Sequence, residues 1–243
     1  MASPSSSLRS PSPPPPPLAP RRAQPRPNEP DADADAANFD LAPYTGRVQQ
    51  LQQALYPGMI MLPSRGLDEV APGVFVAERE AVLPDSAAAM AALKQHGITH
   101  ILNAAQGTSP RHVNTTAAAY ARHGFAFLGL ALTDVDSQRL PPGDLERAAA
   151  FVASALRSAG AVVVHCVEGV SRSATVALAC LMRQERRPLE PLCGAMLRRR
   201  AVYPNAGFLA QLLALEDGLR AAGGCRHRRG RVRGREREGE GGE

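Results

Sequence analysis

The fold of this chain is decided by the stretch Val162-Val163-Val164-His165-Cys166-Val167-Glu168-Gly169-Val170-Ser171-Arg172-Ser173-Ala174-Thr175. A short apolar run comes first, a loop containing Gly169 follows, and an apolar helical pattern begins near Ser173. This order predicts a buried strand, a loop and a helix. The loop N–H groups and the helix N-terminus favour an anion, and they stabilise the thiolate of a cysteine placed there. The stretch therefore predicts an anion site in which Cys166 attacks phosphate esters.

The other residues of this stretch have roles that follow from their chemistry. The planar guanidinium of Arg172 can bind two phosphoryl oxygens at once, and it can stabilise their negative charge in the transition state. Gly169 permits an unusual backbone conformation and a close approach to the phosphate. Ser173 is expected to donate a hydrogen bond to the sulfur of Cys166 and help it leave in a second step, and His165 is expected to order the loop. The residues expected to line the bound phosphate are Val167, Glu168, Gly169, Val170, Ser171 and Arg172.

The hydrophobic patterns on either side of this stretch predict an α/β domain. Strands alternate with helices from about Glu69 onward, which indicates a mainly parallel sheet. The apolar run before Cys166 fits a central strand covered on both faces. Asp85, Asp144 and Asn205 are predicted to cap the helices that follow them. Strands are predicted over residues 69–77, 98–103, 125–130 and 161–165, and helices over residues 46–56, 86–96, 115–123, 145–159, 173–184, 189–199 and 206–222.

A proton donor for the leaving oxygen is expected in residues 133–137, a polar loop after the third predicted strand. This loop lies at the carboxyl end of its strand, which is also the edge of the sheet that carries Cys166. Either Asp134 or Asp136 could protonate the leaving oxygen and then deprotonate the water that attacks a cysteinyl phosphate. The spacing does not choose between these two residues, and each alone could equally be a turn residue.

The two ends of the chain differ in composition from the part between them. Residues 1–43 are rich in Pro, Ser, Arg and Asp, and residues 224–243 are rich in Arg, Gly and Glu, so both are expected to be disordered tails. Residues 44–223 are expected to be the catalytic domain. Apolar residues make up 44% of the chain and charged residues 21%, which is usual for a soluble protein with a hydrophobic core.

Composition gives only weak constraints on partners. The net charge is +5, but much of the excess lies in the tails, so no nucleic-acid partner is predicted. No apolar segment is long enough to span a bilayer, and no membrane contact is predicted. Pro17-Leu18-Ala19-Pro20-Arg21-Arg22 matches a PxxP core followed by arginine, which SH3 domains bind. The competing and favoured interpretation of so short a motif is a solvated tail without a dedicated partner.

The four cysteines, Cys166, Cys180, Cys193 and Cys225, form no CxxC pair and fit no zinc-binding spacing, so neither a metal nor a cofactor is expected. Cys180 and Cys193 lie in helical patterns and are expected to be inert core residues, and Cys225 is expected to be a tail thiol. Because the sequence has no signal peptide, reduced thiols are expected, in the cytosol, the nucleus or both.

The pattern His165-Cys166-x-x-Gly169-x-x-Arg172-Ser173 resembles the protein tyrosine phosphatase superfamily, and the complete loop resembles the dual-specificity phosphatases. The resemblance covers residues 44–223 and extends to small, atypical members of the Vaccinia H1-related type. It implies a mixed, mainly parallel central sheet flanked by helices. The further segments that carry it are Gly97-Ile-Thr-His-Ile-Leu-Asn-Ala-Ala105, His112-Val-Asn-Thr115, Glu146-Arg-Ala-Ala149 and Pro204-Asn-Ala-Gly-Phe-Leu-Ala-Gln211.

The resemblance also implies roles for single residues. It selects Asp134 rather than Asp136 as the general acid. It places Arg200 where relatives of the Vaccinia H1-related type carry an arginine for a second substrate phosphate; the alternative is a solvated member of the run of three arginines that ends at Arg200. Glu168 matches an acidic loop residue of those relatives. Val170 stands where the Vaccinia H1-related protein has a tyrosine, so substrate preference cannot be carried over.

The sequence therefore predicts a protein phosphatase, independent of metal, that acts on phosphotyrosine and on phosphoserine or phosphothreonine. Its expected partners are phosphorylated proteins, with MAP kinases as one candidate class. Two alternatives remain: a domain that binds phosphoproteins without turnover, and a phosphatase for lipid or RNA phosphates. Intact Cys166, Arg172 and Asp134 argue against the first alternative. Apolar Val167 and Val170, where phosphoinositide enzymes often have lysine, argue against the second.

Overall fold

The computed structural model describes residues 39–58 and 66–223 of the chain. The motif at residues 17–22 lies outside these residues, and so do residues 1–38 and 224–243 of the predicted tails. None of the helices in the described part is long and apolar enough to cross a membrane. The described elements, in chain order, are α1 Thr45–Leu55, β1 Leu67–Ala71, β2 Val74–Ala77, α2 Ala87–Gln95, β3 Ile98–Asn103, α3 Ala117–Ala121, β4 Ala126–Gly129, α4 Pro142–Arg157, β5 Ala161–His165, α5 Arg172–Glu185, α6 Leu189–Leu197 and α7 Ala206–Ala221.

The five described strands form one sheet in the order β1-β2-β5-β3-β4. β5 pairs in parallel with β2 on one side and with β3 on the other, β3 pairs in parallel with β4, and only β1 is antiparallel to its neighbour. Every residue of β5 is buried. The predicted fold class, a mixed and mainly parallel sheet with the nucleophile's strand at its centre, is confirmed.

Helices cover both faces of the sheet because β5 is apolar on both sides. Val162 and Val164 pack into the larger core, with α1 and with α4 to α7. Ala161 and Val163 pack into the smaller core, with α2 and α3. The helix α5, which follows the loop, is buried along most of its length. The strand and the helix that flank Cys166 are therefore held by the hydrophobic core.

One predicted strand is wrong: residues 69–77 form two strands, β1 and β2, rather than one. They pair as an antiparallel hairpin, and Pro72 and Gly73 form the turn. The φ angle of Gly73 is +72°, a conformation that favours glycine. Proline lacks the N–H of a ladder hydrogen bond, so the pair Pro-Gly ends a strand rather than continuing through it.

Two predicted helix caps are also wrong. Ser86, not Asp85, caps α2 by accepting a hydrogen bond from the N–H of Ala89 at 3.2 Å. Asp144 lies inside the first turn of α4, where Arg147 pairs with it at 2.8 Å, and the helix starts after a proline without a side-chain cap. The predicted cap of α7 is confirmed.

Order also starts before residue 44. A 3-10 turn occupies Ala42–Tyr44, and the partly buried Phe39 and Leu41 pack against the larger core. Residues 39–43, predicted to belong to the tail, are therefore part of the folded domain.

Candidate active site

The site lies at the carboxyl edge of the sheet, where three neighbouring strands end. β5 ends at His165, and its carbonyl accepts a hydrogen bond from the N–H of Ala104, which follows β3. The carbonyl of Asn103 at the end of β3 accepts in turn from the N–H of Leu130, which follows β4. These bonds bring together the loops after β3, β4 and β5, the last of which is residues 166–171. We call these six residues the phosphate loop.

Cys166 lies at the start of the phosphate loop with its side chain almost completely buried. Its Sγ accepts a hydrogen bond from the N–H of Gly169 at 3.2 Å and lies 3.3 Å from the hydroxyl of Ser173. The helix α5 begins at Arg172, so its positive end faces the sulfur. Hydrogen-bond donors and the positive end of a helix are thus directed at the atom that would act as the nucleophile.

Gly169 is required for two reasons. Its φ angle is +71°, and a Cβ at this position would lie 2.6 Å from the carbonyl oxygen of Ala77 and 2.4 Å from Nη2 of Arg200. The predicted unusual backbone conformation is present. The close approach is to β2 and to an arginine behind the loop, a tertiary contact that the sequence pattern does not reveal.

The backbone of the phosphate loop turns its carbonyl groups outward. The carbonyl of Val167 accepts from the N–H of Arg79 at 3.1 Å, and the carbonyl of Val170 accepts from the N–H of Tyr203 at 2.9 Å. Among the described residues, no protein acceptor takes the N–H groups of Val167, Glu168, Val170 and Ser171. Peptide groups oriented in this way form an anion-binding nest.

Arg172 is buried, and its guanidinium is held from one side. Its Nη1 donates to the carbonyl of Arg111 at 2.7 Å and to that of Leu132 at 3.3 Å. Its Nε has no hydrogen-bond acceptor among the described residues. A buried guanidinium N–H without a partner is costly, so it is poised to bind an oxyanion.

Asp134 lies beside this guanidinium, whereas Asp136 does not. Oδ2 of Asp134 is 3.6 Å from Nε of Arg172, and its side chain lines the pocket of Cys166. Asp136 points to the start of α7, where its carboxylate accepts from the N–H of Gly207 at 3.5 Å. Of the two candidate acids, the structure brings only Asp134 to the nucleophile.

Asn205 has a second function that the sequence reasoning missed. Its Oδ1 caps α7 by accepting from the N–H of Phe208, and its Nδ2 donates to Oδ1 of Asp134, both at 2.9 Å. The hydroxyl of Ser171 donates to the same carboxylate oxygen at 2.7 Å. Asn205 and Ser171 therefore orient Asp134. The sequence marked Asn205 as a helix cap and as part of a segment shared with the family, but it did not indicate the contact with Asp134, which spans 71 positions.

A second missed residue is Asn103, which is completely buried at the end of β3. Its Nδ2 donates to the carbonyl of Val113 at 2.8 Å and to the hydroxyl of Thr115 at 3.1 Å, and its Oδ1 accepts from the N–H of Ala105. These bonds shape the loop that presents the Arg111 carbonyl to the catalytic arginine. A polar residue at the end of an apolar strand was the available signal.

His165 is completely buried at the end of β5, and burial lowers its pKa to about 4. Its Nδ1 lies 3.4 Å from the carbonyl of Cys166, and its Nε2 has no partner among the described residues. The histidine is therefore neutral near pH 7. Its contact to the loop, as expected, is with the residue that follows it.

Arg200 differs from both of its predicted roles. Its side chain is fully buried, unlike those of exposed Arg198 and Arg199, so it is not a solvated member of the arginine run. It does not line the pocket of Cys166 either. Its guanidinium instead bonds to the partly buried carboxylate of Asp68 at 2.7 Å and to the carbonyl of Gly169 at 2.9 Å, on the far side of the phosphate loop.

The pocket above Cys166 has a volume of about 350 Å³. It is lined by Pro110, Arg111, Asp134, Cys166, Val167, Glu168, Val170, Ser171 and Arg172. In residues 39–58 and 66–223, no group of three or more His, Cys, Asp or Glu side chains is arranged to hold a metal ion. The arrangement combines a nucleophile, an anion-binding loop, a guanidinium and a carboxylic acid, which is the set that hydrolysis of a phosphate ester through a covalent intermediate requires.

The remaining described cysteines are core residues, as predicted. Cys180 and Cys193 are buried in the larger core. Burial raises the pKa of the Cys180 thiol to about 12 and also raises the pKa of Cys193. Cys225 lies outside the described residues.

Comparison with known proteins identifies the family. A family model described as "Dual specificity phosphatase, catalytic domain" matches residues 82–218. The dual specificity protein phosphatases 26 of Bos taurus and Homo sapiens are 36% identical to this chain over 178 residues, covering 71% of this chain and 77% of theirs. The chain belongs to the dual specificity phosphatase family. Membership in this family makes it a cysteine-dependent protein phosphatase.

Solved structures of family members share the fold. The crystal structure of human DUSP28 is 28% identical, covers 66% of this chain and 97% of its own, and has a TM-score of 0.52. A mouse putative dual specificity phosphatase, complexed with zinc tungstate, is 30% identical, and the match covers 68% of this chain and 96% of the mouse chain with a TM-score of 0.53. The human tyrosine phosphatase-like serine/threonine/tyrosine-interacting protein is 25% identical, and the match covers 63% of this chain and 97% of the human chain with a TM-score of 0.55.

Proposed function

We propose that this chain hydrolyses phosphotyrosine and phosphoserine or phosphothreonine in proteins, with Cys166 as nucleophile and Asp134 as general acid. The observation that carries the proposal is the convergence on one pocket of the Cys166 sulfur, the carboxyl group of Asp134 and Nε of Arg172, which has no hydrogen-bond acceptor among the described residues. The phosphoryl group would lie between the loop N–H groups and this guanidinium.

The first step transfers the phosphoryl group to the enzyme. The thiolate of Cys166 attacks phosphorus, the bond from phosphorus to the ester oxygen breaks, and protonated Asp134 gives its proton to that oxygen. Arg172 and the loop N–H groups stabilise the negative charge on the remaining phosphoryl oxygens.

The second step regenerates the enzyme. The carboxylate of Asp134 takes a proton from a water molecule, which attacks phosphorus and breaks its bond to sulfur. The hydroxyl of Ser173, 3.3 Å from Sγ, is placed to donate a hydrogen bond to the departing sulfur. Both steps use only groups of this chain and one water molecule, so the proposed activity requires no metal or cofactor.

The substrates are proposed to be phosphorylated proteins of the cytosol or nucleus, with MAP kinases as one class. A pull-down with the trapping variants Cys166→Ser and Asp134→Ala would identify them. Phosphorylated and unphosphorylated MAP kinase serve as matched probes. Capture of both forms alike would argue against MAP kinase as a substrate.

The activity is tested with Cys166→Ser and a substrate panel. The variant should abolish turnover of a phenyl phosphate ester yet still bind a phosphopeptide, because the loop and Arg172 remain. Cys180→Ser, in the core, is the matched cysteine control. Wild-type turnover by Cys166→Ser would refute the mechanism, and preference for a phosphoinositide or RNA phosphate in the panel would refute the substrate class.

A further inference from the structure

A buried arginine lies behind the phosphate loop, on the side away from the pocket. The side chain of Arg200 is completely inaccessible. Its Nε donates to the carbonyl of Gly169 at 2.9 Å, and its Nη2 donates to the carbonyl of Glu168 at 3.4 Å. These two carbonyls belong to consecutive peptide groups in the middle of the loop.

Two carboxylates pair with the charge of this guanidinium. Nη1 of Arg200 donates to Oδ2 of Asp68 at 2.7 Å, and Oε2 of Glu78 lies 3.6 Å from Nη2. The other oxygen of Glu78 accepts from the N–H of Gly66, whose carbonyl also accepts from Nη1. Burying an ion is costly unless it is paired and hydrogen-bonded. This network pairs Arg200 with the hairpin of β1 and β2 rather than with the substrate pocket.

The peptide group that Arg200 holds also contacts the nucleophile. The peptide group between Glu168 and Gly169 donates its N–H to the sulfur of Cys166 at 3.2 Å, while its carbonyl, that of Glu168, accepts from Nη2 of Arg200 at 3.4 Å. There is no free space on this side of the glycine, because a Cβ there would clash with both Arg200 and Ala77. The position of Arg200 therefore fixes the direction in which this N–H points.

We propose that Arg200 is a positioning residue for the phosphate loop. It acts through Gly169 on Cys166, and it does not bind a second substrate phosphate. This inference rests on the proposed function, because it concerns the same nucleophile.

The first test compares peptides of one sequence that carry one phosphate or two. Arg200→Lys keeps the positive charge between Asp68 and Glu78, but a single ammonium cannot reproduce the planar fork that reaches two loop carbonyls. The Arg200→Lys variant should have a kcat about tenfold lower than wild type for both peptides, and the ratio of the two kcat values should be unchanged. Arg199→Ala, which removes an exposed neighbouring arginine, is the control and should stay within about twofold of wild type. A loss confined to the doubly phosphorylated peptide would overturn the inference.

The second test needs no turnover. The rate at which iodoacetamide alkylates Cys166 is followed by mass spectrometry as a function of pH, in wild type, Arg200→Lys and Arg199→Ala. The pH at which the alkylation rate is half-maximal should rise by about one unit in Arg200→Lys and stay unchanged in Arg199→Ala. The rise is expected because the N–H of Gly169 no longer points at the sulfur in Arg200→Lys. Circular dichroism shows that the variant is folded, and an unchanged profile in the folded variant would overturn the inference.

The two tests separate this inference from the proposed function. If the wild-type protein hydrolyses no phosphoester but Arg200→Lys shifts the alkylation profile, the proposed function fails and the positioning role stands. If the wild type is active and neither readout changes in Arg200→Lys, the positioning role fails and the proposed function stands. Arg200→Met, which removes the charge but keeps much of the volume, should show the same shift as Arg200→Lys.

Discussion

Asp134 illustrates how neighbouring side chains orient one carboxyl group. One of its oxygens accepts hydrogen bonds from Ser171 and Asn205, and the other faces Nε of Arg172 at 3.6 Å. The first pair of bonds fixes the plane of the carboxyl group, and the second oxygen is left facing the pocket. A proton on that second oxygen is therefore placed for transfer to a leaving group.

Replacing this acid should affect substrates according to their leaving groups. In Asp134→Asn, turnover of an alkyl or phosphoserine-like ester should fall by about 100-fold or more, because its leaving oxygen needs a proton. Turnover of an aryl ester with an acidic phenol should fall much less. Steady-state kcat for a series of aryl phosphates measures the difference.

Asp136→Asn is the matched control, because Asp136 lies in the same loop and faces α7. It should leave the dependence on the leaving group as in wild type. An equal loss on all esters in Asp134→Asn would remove Asp134 from the acid role.

At the scale of single residues, the sequence predicts which residue types form the site better than it predicts which residues contact one another in space. The spacing around Cys166 indicates a nucleophile and an anion-binding loop, because those residues are close along the chain. It does not choose between Asp134 and Asp136, and it does not place Arg200 behind the loop. These positions depend on contacts between residues that are distant in the sequence, such as the pair formed by Arg200 and Asp68.

Among the elements, α7 determines the position of the loop that carries the acid. Asn205 at its start binds Asp134. Six residues later, Gln211 accepts from the N–H of Leu140 at 2.8 Å and donates to the carbonyl of Gln138 at 2.9 Å. The loop of residues 130–141 between β4 and α4, which we call the acid loop, is thus attached to one helix through Asp134, Gln138 and Leu140, so the position of the acid follows the position of α7.

The two roles of Asn205 can be separated by substitution. Asn205→Asp keeps an oxygen that caps the helix but replaces the donor to Asp134 with a second negative charge. Stability at low pH, where Asp134 is protonated, should stay near that of wild type, while the descending limb of the pH–rate profile should move to higher pH, because the added charge favours the protonated acid. The pH dependence of kcat and a urea denaturation curve measure the two effects.

Asn205→Ala removes both roles and should lower stability by about 1 kcal/mol as well as slowing esters with poor leaving groups. Ser86→Ala, which removes the cap of α2, should lower stability to a similar extent and leave the leaving-group dependence unchanged. If both alanine variants affected kinetics alike, the contact from Asn205 to the acid would have no catalytic importance.

The errors in element prediction have a common physical cause. Residues 69–77 read as one strand because apolar residues flank Pro72 and Gly73 on both sides, but the turn chemistry of that pair is decisive. The helices and the parallel strands were predictable because their hydrophobic periodicity persists over several turns or residues. Some boundaries and the caps of α2 and α4 were not, since they depend on single side chains.

On the scale of the whole molecule, a neutral histidine lies between the central strand and the phosphate loop. Burial lowers the pKa of His165 to about 4, below its ordinary value of 6.5. The unfolded chain therefore binds a proton at this residue at a pH where the folded chain does not. This contribution to stability is complete above pH 6.5 and is lost as the pH falls toward 4.

Stability should therefore fall by about 2 kcal/mol between pH 7 and pH 5 through His165 alone. His165→Gln, which cannot titrate, should lack this part of the pH dependence. Urea denaturation of both proteins at the two pH values measures the free energy of unfolding. Subtracting the pH dependence of the variant from that of wild type removes the contribution of the carboxylates, which both proteins share. Parallel pH dependences in the two proteins would show that His165 is not buried in its neutral form.

The location of Phe39, where the described chain enters the domain, has a consequence for attachments to the protein. The guanidinium of Arg139, in the acid loop, lies over the ring of Phe39 at 5.4 Å. The other described end follows α7, a helix of 16 residues that begins at the acid loop and carries the chain about 24 Å away from it. A bulky carrier joined directly before Phe39 would crowd the approach of a folded phosphoprotein, whereas one joined after α7 would leave it open. The two boundaries of the described domain are thus unequal as attachment points for a bulky carrier.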